Sequence, residues 1–87
     1  MRFFISGNLL RFSDFRNEIE VFAHTIEASL ASLVARCPAL EPVLFGSGRL
    51  RQVHRLFLNG AQIEGADLGQ PVGIDDEVTI LTAIAGG

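Results

Sequence analysis

Two histidines, one cysteine and one run of carboxylates are the side chains of this 87-residue chain best suited to acid–base, nucleophilic or metal chemistry. Their spacing assembles no catalytic group. Cys37 falls on the apolar stripe of a predicted helix, which buries a thiol rather than presenting it beside a base. His24 flanks the end of one predicted strand and His54 the start of another, so both are expected as exposed turn residues. Asp75, Asp76 and Glu77 are consecutive, and neighbouring carboxylates on a short turn do not converge on a cation. They read as a solvated turn, with docking against a basic partner through Asp75 and Asp76 as the functional alternative. "GSGRLR" (46–51) carries neither the P-loop pattern nor GxGxxG, so it gives no phosphate cradle. An enzyme, a resident metal and a bound cofactor are not expected.

The remaining chemistry lies in "EVTILTAIAGG", where a strand pattern runs directly into Ala85-Gly86-Gly87. Without Cβ atoms, Gly-Gly can enter a narrow channel and adopt conformations closed to other residues. Five residues from Ala83 extend about 17 Å at most. A folded body could therefore stay outside a partner while the Gly87 carboxyl reaches the partner's active site. A carboxylate is a poor electrophile, so this reach is useful only if the partner activates it. Adenylation would turn one carboxyl oxygen into a leaving group, and sulfur or an amine could then attack the acyl carbon.

Composition narrows the partners. At 48% hydrophobic and 20% charged, the chain suits one compact domain rather than a disordered segment. The formal net charge of -3 gives no footprint for phosphate backbones or anionic lipid, so neither nucleic acid nor membrane is expected as a partner. All seven basic residues are Arg, so an activated terminal carboxyl could not be captured by an internal lysine. A single cysteine excludes an internal disulfide and fits a reducing cytoplasm. "MRFFISGNLLRFSD" lacks a small-residue cleavage site, and Gly7, Asn8 and Arg11 interrupt its apolar run. A cytoplasmic protein, monomeric when free, is expected.

The elements that must position the tail follow from pattern. "RFFISG" (2–7) is a β-forming run ending at Gly7-Asn8, and "EIEVFA" (18–23) alternates as a strand with one wet face. The two are expected to pair as a hairpin across the loop "NLLRFSDFRN". Thr25 caps a predicted helix with apolar positions at Ile26, Leu30, Leu33, Val34 and Cys37. Glu27 and Arg36 sit at its favourable ends and Pro38 stops it. "PALEPVLFGSGRLRQ" reads as a connector. "HRLFLNGAQI" (54–63) is a strand, an Asn59-Gly60 tight turn and a short return. "EGADLGQPVGIDD" is turn-rich, and "EVTILTAI" (77–84) is the last strand. One helix and four or five strands suit an α+β domain with the helix packed across one sheet face and the first and last strands side by side in the middle.

The β-β-α-β order, "FLNG" in the third strand, "DDEVTIL" leading into the last and terminal "AIAGG" resemble the ThiS/MoaD group of ubiquitin-like, β-grasp sulfur carriers. Within it the chain is most similar to the CysO-like and siderophore-biosynthesis carriers, through "NLLRF", "HRLFLNG" and "VTILTAIAGG". The resemblance implies a β-grasp domain over residues 1–82, with a mixed four- to five-stranded sheet, and a flexible tail over 83–87. It implies that Gly87 is adenylated and converted to a thiocarboxylate. Gly86 and Ala85 would thread the channel of a ubiquitin-activating-type adenylyltransferase, and Ile84 and Ala83 would anchor the tail's base. ATP and magnesium would be used by that partner, and a biosynthetic enzyme making a small sulfur metabolite would accept the sulfur. Docking is expected on the sheet face opposite the helix, with Leu9, Leu10 and Phe12. The alternatives are a protein modifier conjugated through Gly87 and a MoaD-like small subunit of molybdopterin synthase. MoaD-type tails carry Pro-Pro-Val or similar where this chain has Thr82-Ala83-Ile84, which disfavours the last.

Overall fold

The computed structural model describes residues 1–63 and 68–82. β1 (Arg2–Ile5) runs antiparallel to β2 (Glu18–Glu20), pairing Phe3 with Ile19. The main helix α1 (Ile26–Arg36) follows, capped as its sequence predicts: the extended Thr25 accepts the Ala28 N–H on Oγ1 at 3.1 Å. At its other end the Cys37 N–H closes on the Leu33 carbonyl, and Pro38 cannot continue the ladder.

The connector is more ordered than its prolines and glycines suggest. A 3-10 turn (Pro38–Leu40) runs into α2 (Glu41–Leu44), and a small ladder pairs β3 (Phe45–Gly46) with β4 (Arg49–Leu50) across Ser47 and Gly48, both at positive φ. Leu40 and Leu44 lie four apart and are fully buried, so one helical turn serves to bring two side chains into the core. Pro38 and Pro42 stand in first turns, where the missing N–H is not needed. The expected loop after β1 likewise contains a 3-10 helix, Gly7–Phe12.

β5 (His54–Leu58) and β6 (Ala61–Ile63) form the expected hairpin. Asn59 at φ 51° and Gly60 at φ 88° close a two-residue turn whose left-handed centre matches the strand twist. β7 (Glu77–Thr82) completes a sheet of order β2-β1-β7-β5-β6, parallel to β1 and antiparallel to β5. The first and last strands are neighbours at the centre, as the sequence predicts.

Alternation along the strands separates two faces. Phe3, Ile5, Ile19, Leu56, Val78 and Ile80 join Ile26, Leu30 and Leu33 in one buried cluster, closed at its end by Leu40 and Leu44. Cys37 belongs to this cluster, as its place on the helix stripe predicts. No helix of the described residues is long and apolar enough to cross a membrane.

Candidate functional site

The site begins where β7 ends. Thr82 is the last described residue, and Ala83, Ile84, Ala85, Gly86 and Gly87 lie outside the described part of the structure. At that point the structure corrects one expectation. His54, expected as an exposed turn residue, is buried at 6% exposure and opposes Thr82 in the sheet register. Its Nε2 lies 3.0 Å from the Val43 carbonyl and its Nδ1 3.0 Å from Thr82 Oγ1. A carbonyl can only accept, so Nε2 carries the proton; in the neutral ring Nδ1 then accepts the Thr82 hydroxyl. One side chain thus ties α2, β5 and the end of β7 together. Sequence spacing hides this arrangement, because the partners stand eleven residues before and 28 residues after His54.

Topology decides which expected residues share that end. β1 is parallel to β7, so the 3-10 helix after Ile5 emerges on the same side as the chain after Thr82. Leu9 is buried at 3% exposure, a core residue rather than a surface contact in the free chain. Leu10 and Phe12 are half-buried and packed against the core. The segment is locked by the buried Ser13, whose hydroxyl lies 2.9 Å from the Arg16 carbonyl and 3.3 Å from that of Leu10.

Asp75 and Asp76 stand at the other end of β7, about 20 Å away along an extended strand. Asp76 is engaged within the chain. Its Oδ2 accepts the Gly73 N–H at 2.7 Å and its Oδ1 accepts the Asn59 amide at 3.0 Å. Asn59 in turn accepts the Glu77 N–H on Oδ1 at 2.9 Å and donates its own N–H to the Glu77 carbonyl at 2.8 Å. The Asn59 and Gly73 donors hold the Asp76 carboxyl below its ordinary value. This carboxylate fastens the β5–β6 turn to the start of β7, and only Asp75 of the pair is fully exposed.

The sheet face opposite α1 carries Phe4, Phe57, Thr79 and Leu81 at its centre, with Leu81 44% exposed. Arg2 crosses it, bonding Glu18 at 3.1 Å and Glu77 at 2.6 Å on either side. Both pairs are half in water and contribute little to stability, but they place a charged border on a mostly apolar strip. Among the described residues, no three His, Cys, Asp or Glu side chains converge to hold a metal ion.

No family model and no curated protein sequence matches the chain. Solved structures do. SAMP1 from Haloferax volcanii superposes with a TM-score of 0.82 at 26% identity, covering 99% of this chain and 97% of its own. The Amycolatopsis orientalis BexX/CysO complex gives 0.85 at 22% identity over 99% and 98%, and Mycobacterium tuberculosis CysO 0.82 at 20% over 95% and 98%. The fold is the β-grasp, and the neighbours are small ubiquitin-like proteins, in agreement with the resemblance carried by "HRLFLNG" and "VTILTAIAGG".

Proposed function

We propose that this protein is a sulfur carrier whose working group is the carboxyl of Gly87. A carboxylate oxygen of Gly87 attacks the α-phosphate of ATP held by an adenylyltransferase of the ubiquitin-activating type, and pyrophosphate leaves. A sulfur nucleophile then attacks the acyl carbon and displaces AMP, leaving a thiocarboxylate that an acceptor enzyme uses to build a small sulfur-containing metabolite. The magnesium that ATP requires belongs to the adenylyltransferase. Gly86 and Ala85 occupy the partner's channel, Ile84 and Ala83 stand at its mouth, and Leu10 and Phe12 supply apolar contact beside it.

The observation that carries this reading is the end of β7. The strand lies at the centre of the sheet, and its last described residue is pinned to the body by His54, immediately before "AIAGG". Intact mass tests the reading directly. With ATP, the adenylyltransferase and a sulfur source, the protein gains the mass of one oxygen replaced by sulfur, and the variant lacking Gly87 does not. Gly86→Val, which adds a branched side chain inside the channel, lowers the activation rate by about a hundredfold, the cost of misplacing a reacting group by about an ångström.

The likeness to SAMP1, described as a small archaeal modifier protein, favours one second reading: conjugation of Gly87 to lysines of other proteins. Activation is common to both, and only the final nucleophile differs. Mass adducts on lysines of other proteins, with no thiocarboxylate on free chain, would replace the carrier by the modifier.

A further inference from the structure

We infer that His54 and Thr82 form a latch that fixes the origin of the tail and so sets where Gly87 arrives in the partner's active site. The inference rests on the proposed role of Gly87 and adds to it a positioning pair within the folded body.

Three observations carry it. First, His54 is a buried side chain with both ring nitrogens partnered: Nε2 serves the Val43 carbonyl near the end of α2, and the bond to Thr82 closes no turn and caps no helix. Second, the two partners belong to different layers. Val43 lies on α2, itself held by the buried Leu40 and Leu44, whereas Thr82 is the exposed last residue of β7. The imidazole therefore transmits the rigidity of the helical layer to the end of the strand. Third, the backbone there is held on one side only: Leu81 and Thr82 pair with Arg55 and His54 of β5, the β1 ladder ends at Ile80, and both side chains are exposed, so apolar burial does not hold them. Terminal residues without such support fray.

Fraying matters because the tail is short. Five residues give a fixed maximum reach, and release of Thr82 would leave the partner to order an additional residue before the carboxyl is in place. Ordering one backbone residue corresponds to about five- to thirtyfold in affinity. The latch makes that ordering part of folding rather than of association.

The test uses the full chain and Thr82→Val, which keeps the shape of the side chain and removes only the hydroxyl, with Thr82→Ser restoring it. With wild-type protein, the adenylyltransferase and ATP, the valine variant raises KM for the carrier by about five- to thirtyfold and leaves kcat within about twofold, and serine returns KM to wild type. In the free protein the backbone order parameters of Leu81 and Thr82 fall in the valine variant and recover in the serine variant. A valine variant with a lowered melting temperature but wild-type KM would overturn the positioning role and leave a merely structural bond. Unchanged order parameters would overturn the latch itself. If the wild type is not activated at all, the carrier reading and the positioning role fall together. The order parameters still decide whether the latch exists.

Discussion

Asp76 joins two turns through its charge. The Asn59 amide and the Gly73 N–H both donate to its carboxylate, and its pKa lies below the usual carboxylate value as a result. Because the folded-state value is the lower one, Asp76 stabilises the protein fully above the unfolded value near pH 3.9. That contribution is lost as pH falls through the folded-state pKa. Urea midpoints of wild type and Asp76→Ala should therefore differ at pH 6 and converge on acidification toward pH 2. A gap that stays constant with pH would mean the side chain acts through shape alone. The sequence shows acidity here and implies a solvated turn or a docking charge. Local pattern does not reveal that Asn59, seventeen residues earlier, brings an amide to Asp76. The burial of His54 is hidden for the same reason. Its burial depends on Val43 and Thr82, and neither lies within the local window from which exposure is read.

At the scale of elements, legibility follows locality. α1 was plain because cap, dipole charges, apolar stripe and stop all fall within fourteen residues of one another, and the β5–β6 turn because Asn59-Gly60 encodes its own backbone geometry. The segments around α2 and the 3-10 helix after β1 were not plain, since each is one or two turns long and gives no period to count. Their order comes from burying Leu9, Leu40 and Leu44. Thr25→Ala should cost about 1 kcal/mol in chemical denaturation, the usual value of a lost N-cap. Leu33→Ala, at the fully buried centre of α1, should cost about 2–5 kcal/mol. Equal losses from the two would mean that α1 is not packed as described.

The molecule as a whole is organised around β7. The β1–β2 and β5–β6 hairpins share no ladder with each other and meet only across the last strand. Amides of Val78 and Ile80, flanked on both sides, should exchange with solvent only through global unfolding, while those of β2 and β6 at the sheet edges exchange faster through local opening. Uniform protection across the sheet would contradict this. The same strand order has a consequence during synthesis. While a ribosome is still making the chain, residues 1–63 can form two hairpins and a helix before the strand that joins them has emerged. The sheet therefore closes only once β7 has joined it, and closure is also what sets Thr82 opposite His54. A copy whose β7 has not joined the sheet lacks this base, so an enzyme that requires it would pass over that copy.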